Sequence, residues 1–403
     1  MSIFYLIFIV LAVYFSIRYD GIEEYDSHKQ HRLWLMCAYM VCLMGFSYGL
    51  GGDKFTYMEQ FDYYPTNLSD IWNLIVANFM IRGQMPLWTI VNSTCKAVFG
   101  SFYAVQLIES AAINIAVCYV VSKNTHRYFL FLLIYFFSLK FFIFNCEVMR
   151  EGFALAFMLV GMQGLKDKRY GLFVVTVLIA ILFHVSAAIA LLFPFVKFKL
   201  SWRTVFYFAF LAIVLWSVSD IIMGRVFGFA IAGKGVFALK AMAYSLKGSS
   251  FIGFLGQLCS YLVFPFIAMY YIALMETSEK EKAWKEKLVA FMLVLAIISI
   301  SSTPLGRLYN YVQIFYMIML ADFVYVLFQT KEHLVIRLGT CVCSFLFMLL
   351  PYFVRYEVTN TYFYNFYYPY TCILDENESV YFRMVAHNEA VSRVGENNVR
   401  KIE

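Results

Sequence analysis

Apolar runs of membrane length recur along almost the whole chain, separated by short polar linkers. They cover about residues 2–17, 33–50, 101–121, 128–145, 148–165, 204–223, 252–275, 287–303, 310–329 and 336–354, with one more around His184. A helix of about 20 apolar residues crosses the hydrocarbon core of a bilayer. Because lipid offers no partners to backbone polar groups, a spanning segment is a helix or part of a closed barrel. We therefore expect an all-α, polytopic integral membrane protein with about 10–12 membrane helices.

The composition indicates one membrane domain without a separate soluble domain. The 403 residues are 62% hydrophobic and 14% charged, against about 25% charged residues in soluble proteins. We expect a single multi-spanning domain over residues 1–354, with external loops at 51–85 and 224–251, and a polar C-terminal tail at 355–403. The nine cysteines show no CxxC or CxxH spacing, which argues against a metal site or a disulfide framework.

The basic residues lie mainly in short linkers between apolar runs. These linkers are at 18–32, 122–127, 166–169, 197–203, 276–287 and 331–337. Their pattern fits membrane orientation rather than nucleic-acid binding, and the positive-inside rule places them all in the cytoplasm. This assignment requires that segment 86–100 lies on or dips into the membrane. It also requires that 170–196 enters and leaves on one side, as two half-helices that meet in a break near His184.

His184 is an ionisable residue inside the apolar stretch 170–196. Burying such a group in a membrane is expensive, so it is a candidate for function. A neutral imidazole can accept the proton of a hydroxyl group near neutral pH, as general base catalysis requires. The alternative is a buried core histidine that is hydrogen-bonded to a hydroxyl group such as that of Ser186.

The expected topology brings three more ionisable residues to the external side. Asp53 follows Gly51 and Gly52 at the end of an apolar run, where it can act on substrate or cap the next helical turn. Arg150 and Arg307 are external arginines, which the positive-inside rule makes unusual. Two guanidinium groups on separate helices suit bidentate binding of a pyrophosphate. The alternative for Arg150 is an interfacial arginine paired with the carboxylate three residues before it.

Tyrosines near these residues provide hydroxyl groups and aromatic faces suited to a sugar, namely Tyr57, Tyr309 and Tyr311. Aromatic belts at membrane interfaces account for part of this enrichment. The loop 224–251 is basic and suits either capture of an anionic lipid carrier or polymer, or simple attraction to lipid headgroups. The sequence has no P-loop, GxSxG or HExxH motif, which argues against ATP hydrolysis, serine hydrolase and zinc protease chemistry.

Five segments follow one another in a recognisable order. They are the GGDxxxY loop from Gly51, the MREGFALAF helix from Met149, the basic KDKRY linker from Lys166, the LIAILFHVSAAI segment from Leu178 and the GRLYNYVQIF segment from Gly306. In these segments the chain resembles the EpsG family of bacterial exopolysaccharide proteins, within the wider class of Wzy-type polysaccharide polymerases.

The resemblance implies a glycosyltransferase of the bacterial inner membrane, with its active site facing the periplasm or exterior. Such an enzyme moves a growing glycan from undecaprenyl pyrophosphate onto the next lipid-linked repeat unit and so builds exopolysaccharide, capsule or O-antigen. No cofactor or catalytic metal is implied, and a chain-length regulator and a flippase are expected protein partners. The expected polar positions are occupied by Asp53, Arg150, His184 and Arg307. Glu147 and Glu151 stand where amides are expected.

These expectations give a reaction scheme and three rivals to it. Arg150 and Arg307 would hold the donor pyrophosphate as the glycosidic bond breaks. His184 would accept the proton of the attacking sugar hydroxyl, with Asp53 as the competing base. A flippase or transporter of lipid-linked oligosaccharide should show two related halves, and no such repeat is seen. A membrane O-acyltransferase of a glycan, or a ligase that transfers finished glycan, remains open at this stage.

Overall fold

A computed structural model gives the fold. It describes residues 3–82, 84–197, 199–218, 278–301, 303–329, 361–374 and 383–385, with short pieces between 261 and 272 and between 338 and 356. The α-helices are α1 Ile3–Tyr19, α2 Ser27–Gly45, α3 Asp53–Phe61, α4 Ile71–Ala77, α5 Pro86–Phe99, α6 Phe102–Asn124, α7 Tyr128–Phe137, α8 Lys140–Phe142, α9 Met149–Lys166, α10 Tyr170–Phe183, α11 Trp202–Ser217, α12 Glu279–Ser301 and α13 Asn310–Gln329. Two strands of two residues each, β1 Arg355–Tyr356 and β2 Thr361–Tyr362, form an antiparallel pair.

Two helical segments of the described chain are long and apolar enough to cross a membrane. They are Phe102–Asn124 and Leu305–Leu327, and a third span results if α7 and the bent segment Lys140–Glu147 are taken together. Shorter apolar helices, among them α1, α10 and α11, accompany them. The protein is therefore an all-α membrane protein, as the sequence predicts. Helices at the other predicted spans are shorter or carry more polar and charged residues, as α2, α9 and α12 do, and the spans 252–275 and 336–354 lie largely outside the described residues.

The run at 128–145, predicted as one continuous span, is bent. Its two helical parts meet at an angle of 79°. Leu139, between them, adopts a left-handed conformation with φ 59°, which is uncommon for a residue with a side chain and ends α7 sharply. The chain then continues through a π-helical turn, Ile143–Glu147, that leads to the start of α9.

Several basic linkers meet at one end of the helix bundle, called here the basic face. The Lys29 ammonium donates to the His126 carbonyl oxygen at 2.6 Å, and Arg127 forms an ion pair with Glu23 at 2.8 Å. At the same end, the Lys166 ammonium donates to the Asn124 side-chain oxygen at 3.0 Å and pairs with Glu281 at 2.8 Å. The linkers at 18–32, 122–127, 166–169 and 276–287 therefore share one face. The opposite ends of α2, α9, α10 and α13 form a second face, called here the site face.

The apolar stretch around His184 is a hairpin of two half-helices, as the sequence predicts. His184 is extended, with φ −151° and ψ 121°, and separates α10 from the 3-10 helix Val185–Phe195. At 14 and 11 residues, the two arms are each about 21 Å long, less than the roughly 30 Å of a bilayer core. Lys287, near the start of α12, donates to the Pro194 carbonyl oxygen at 3.2 Å. The second arm thus returns to the basic face, and His184 is at the tip.

The segment 86–100 forms α5, a helix too short to span a bilayer. Pro86 lies in its first turn, and Gly100 ends it with a left-handed φ of 64°. Its 14 residues extend about 21 Å. Asn92 and Ser93 are buried inside the molecule, so one face of α5 packs against its neighbours. The external loop predicted at 224–251 lies outside the described residues.

Residues 361–374 of the predicted polar tail pack onto the site face, and this segment is called here the strap. It pairs with the chain that leaves α2, through an antiparallel bridge between Ser47 and Cys372. The Gly51 amide donates to the Phe366 carbonyl oxygen at 2.9 Å. The Tyr367 side chain is fully buried. The strap is therefore part of the packed molecule.

Candidate functional site

The loop that carries Asp53 makes a tight exit from α2. Gly51 has a φ of +82°, and a Cβ atom there would lie 2.8 Å from the Cβ of Cys146. Only glycine fits such a position without strain. The turn places Gly52 at the cap of α3 and Asp53 at its first residue, half-buried at the site face.

The Glu147 carboxylate caps α3. It accepts hydrogen bonds from the Gly52 amide at 2.7 Å, from the Asp53 amide at 3.0 Å and from the Tyr367 hydroxyl at 3.0 Å. An anion is favourable there because helix N-terminal amides are unpaired and carry partial positive charge. The Asp53 side chain itself forms no cap. The Glu147 carboxylate therefore binds α3 and the strap. It does not form the pair with Arg150 that the alternative prediction required.

Arg150 and Tyr57 pack together beside this loop. The guanidinium carbon of Arg150 lies 5.7 Å from the centre of the Tyr57 ring, a cation–π contact. The Nε of Arg150 is buried and has no hydrogen-bond partner in the part of the chain that the structure describes. Burial raises the pKa of the Tyr57 hydroxyl, while the charges of Arg150 and Arg307 lower it and that of Asp53 raises it. The charges of three predicted site residues thus act on the hydroxyl group of a fourth, Tyr57.

Glu151 links the start of α9 to the start of α13. One of its carboxylate oxygens, Oε1, accepts a hydrogen bond from the Asn310 amide at 3.0 Å. The other oxygen, Oε2, is buried without a partner among the described residues. The positive charges of Arg307 and Lys140 both act on this carboxylate. Arg307 itself is exposed, on the 3-10 helix Thr303–Tyr309 just before α13.

His184 is connected to α13 by a chain of hydroxyl groups. Its Nδ1 lies 2.5 Å from the Ser186 hydroxyl oxygen, which lies 2.8 Å from the hydroxyl oxygen of the buried Tyr311. Tyr311 follows Asn310, the residue that binds Glu151. The His184 tip and the Glu151 carboxylate are therefore joined through consecutive residues of one helix. The hydrogen bond to Ser186 orients the imidazole ring. The same bond is also expected if His184 is only a buried core histidine, so it is compatible with both predictions.

Tyr309 is placed differently from the other predicted residues. Its ring stacks on Tyr261, with centres 3.9 Å apart, and also contacts Tyr316. The side chain is fully buried, and its hydroxyl has no partner among the described residues. The structure thus groups Asp53, Tyr57, Arg150, Arg307, His184 and Tyr311 at the site face, and puts Tyr309 in the aromatic packing beneath.

Sequence reasoning missed three contributors to this region. Asn310 lies inside the GRLYNYVQIF segment, and its position between two candidate tyrosines was an available signal. Lys140 is a cation inside an apolar run, which by itself marks a functional candidate in a membrane. The cap formed by Glu147 joins residues 95 positions apart, and no local pattern indicates it.

The fold and this region define a class of protein: a multi-pass helical membrane protein with a cluster of ionisable side chains at one end of its bundle. The chain belongs to the EpsG family, whose model matches residues 32–372. This membership supports a polysaccharide polymerase-type role. Neither the curated proteins nor the solved structures give a match to the chain.

Proposed function

We propose that the protein is a membrane glycosyltransferase that polymerises oligosaccharide repeat units linked to undecaprenyl pyrophosphate. The observation that carries this proposal is the pair of arginines on separate elements: Arg150 on α9 packs on the Tyr57 ring, and Arg307 just precedes α13, which is hydrogen-bonded to the residue next to Arg150. Two such cations suit a ligand with two adjacent phosphate groups, because each guanidinium can bind two oxygens in a fixed geometry. The polymerase-type role of the family supports the same reading.

In this scheme the two arginines stabilise the leaving pyrophosphate. Negative charge grows on its bridging oxygen as the bond to the anomeric carbon breaks, and preorganised donors are most effective where charge develops. The buried Nε of Arg150, unpartnered among the described residues, is a donor that such an anion would satisfy. Tyr57 holds the guanidinium in place through its ring.

His184 is the proposed proton acceptor for the attacking sugar hydroxyl. If Nδ1 donates to Ser186, the lone pair of the neutral ring is on Nε2, and Tyr311 fixes Ser186 in turn. Asp53 is the competing base, since its side chain is half-buried at the site face and its charge acts on the same Tyr57 hydroxyl as those of the two arginines. The new glycosidic bond forms as the acceptor oxygen loses its proton and the pyrophosphate departs.

The charge pattern supports an orientation for this chemistry. The positive-inside rule would place the basic face in the cytoplasm, and the site face would then open to the periplasm or exterior of a bacterial inner membrane. Lipid-linked repeat units would reach it there after transport by a flippase, and a chain-length regulator is a further expected partner.

The test is the glycan profile of cells that carry Arg150→Lys or Arg307→Lys, resolved by size at matched protein abundance. Lysine keeps the charge but loses the bidentate geometry, so we expect single lipid-linked units to accumulate and polymer to be lost. Arg18→Lys is the matched control, because Arg18 is an exposed arginine at the far end of α1. Normal polymer in both site variants would overturn the pyrophosphate clamp.

The same cells separate the rival functions. Repeat units retained on the cytoplasmic side of the membrane would indicate transport instead of polymerisation. Unchanged chain length with loss of acyl esters would indicate an O-acyltransferase. Polymer of normal length that fails to reach its final acceptor would indicate a ligase.

A further inference from the structure

The strap is held across the exit of α2 by hydrogen bonds along its length. The Tyr48 amide donates to the Thr371 carbonyl oxygen at 2.8 Å, and the Ile373 amide donates to the Phe46 carbonyl oxygen at 3.0 Å. Together with the bond from Gly51 to the strap, these contacts fix residues 46–51, the segment that leads directly to Asp53. These backbone hydrogen bonds form together only when the strap lies in one register relative to residues 46–51.

Arg383 forms hydrogen bonds both to the strap and to the segment that follows α2. Its side chain is buried and donates to four acceptors, the carbonyl oxygens of Gly49, Asn365 and Pro369 and the hydroxyl of Thr371. A buried arginine is stable only when its donors are satisfied. One guanidinium therefore ties both the strap and the α2 exit together.

The strap also reaches the candidate site directly. The Tyr367 hydroxyl donates to Glu147 Oε1, the same oxygen that accepts from the Gly52 amide. The ring of Tyr367 is stacked on Phe142, with centres 5.2 Å apart, and the Tyr5 hydroxyl donates to its carbonyl oxygen at 2.9 Å. Tyr367 is thus fixed on three sides and presents its hydroxyl to the carboxylate that caps α3.

We propose that the strap is a positioning element of the site, and that Tyr367 acts through Glu147 on Asp53. Glu147 accepts a hydrogen bond from the Asp53 amide at 3.0 Å, so the two acidic residues are neighbours, and like charges repel at short distance. Three donors hold Glu147 against that repulsion. Without the Tyr367 hydroxyl, the carboxylate is freer to turn toward Arg150, three residues along the chain, and neutralise the cation that the site needs.

Cys146 provides a native reporter of this arrangement. The thiol is fully buried and lies directly under Gly51, which precedes the capped residues. A thiol reagent reaches such a group only when the structure above it opens. Cys118, fully buried in the middle of α6, is the internal reference, because it becomes reactive only if the bundle as a whole loosens.

The experiment compares the full-length protein with Tyr367→Phe and Tyr364→Phe in native membranes, with thiol modification mapped by mass spectrometry. We expect Tyr367→Phe to raise the modification rate of Cys146 about tenfold, since it removes a hydrogen bond to a charged acceptor, and to leave Cys118 unchanged. Tyr364→Phe is the matched control, a strap tyrosine whose hydroxyl has no hydrogen-bond partner in the described part of the chain.

Equal protection of Cys146 in both variants would overturn the proposal, and so would a parallel rise in the modification of Cys118.

The consequence for catalysis rests on the proposed function and is measured separately, from the polymer profile of the same cells. Loss of polymer with Tyr367→Phe supports positioning if Arg150→Ala also abolishes polymer. If Arg150→Ala leaves polymer intact, the proposed function fails while the thiol result still decides the role of the strap. If only Arg150→Ala abolishes polymer, the site does not need the strap.

Discussion

The Asn310 side-chain amide donates a hydrogen bond to Glu151 at 3.0 Å, and this contact joins α9 to α13 beside Arg150 and Arg307. Arg150 is next to Glu151 in the chain, and Arg307 lies three residues before Asn310. This bond between a buried carboxylate and an amide therefore contributes to the relative placement of the two arginines. A clamp for a pyrophosphate needs that spacing to be fixed before the ligand arrives.

Asn310→Ala should disrupt this spacing. It leaves both oxygens of the buried Glu151 carboxylate without a hydrogen-bond partner among the described residues, at an expected cost of about 1–3 kcal/mol, and polymer formation should fall by at least tenfold. Asn124→Ala is the matched control, because Asn124 bonds Gln163 and Lys166 on the basic face. The measurement is thermal stability in detergent together with polymer yield per protein. Similar polymer loss in both variants would show that stability alone is responsible.

Ser186→Ala tests whether His184 is a proton acceptor or a core histidine. The Ser186 hydroxyl lies between the imidazole and Tyr311, so its removal releases the ring from its fixed orientation. Proton transfer by a positioned side chain contributes about 10²–10⁴ in rate, and we expect a loss of polymer within that range at unchanged protein abundance. Tyr311→Phe, one bond further from the ring, should have a smaller effect. A core histidine would instead give lower thermal stability with normal polymer yield.

The sequence predicted the helical architecture and the break at His184 because both follow from local patterns. Hydropathy marks a helix that crosses lipid, and the positions of basic linkers on either side of 170–196 require a hairpin there. The bend at Leu139 was not predicted, since the run around it is apolar apart from Ser138 and Lys140 and a left-handed residue leaves no mark on hydropathy.

Contacts between distant segments limited the prediction of the site. The grouping of Asp53, Arg150 and Arg307 was argued from topology and stays a prediction as far as function is concerned. The strap was assigned to the polar tail at 355–403 because charged and polar residues follow it from Asp375 on, although its own residues are mainly aromatic. Its bond from Tyr367 to Glu147 joins residues 220 positions apart, and such pairing depends on the three-dimensional packing of α1, α8 and the segment that follows α2.

Lys54 should make stability depend on pH. Burial lowers the pKa of this side chain, which is on α3 and donates to the Ser47 hydroxyl at 2.9 Å. Between the folded pKa and the ordinary value of 10.5, the unfolded chain binds one more proton, so stability rises with pH through this range and declines as pH falls. Lys54→Met should flatten that difference. Melting curves of both proteins between neutral pH and pH 10 check it, and parallel curves would contradict it.

Gly51→Ala should harm the site more than the same change at Gly100, although both glycines are left-handed. Gly100 has a φ of +64° and open space around it, so an alanine there meets only the backbone penalty of about 1–2 kcal/mol. At Gly51 the new Cβ would also lie 2.8 Å from the Cβ of Cys146 and 3.2 Å from Glu147 Oε1. The loop must then shift away from the carboxylate that caps Asp53. We expect Gly51→Ala to melt at a lower temperature than Gly100→Ala and to lose polymer, whereas Gly100→Ala should keep it. Equal effects of the two changes would show that the close packing of Gly51 on Cys146 and Glu147 has no part in forming the site.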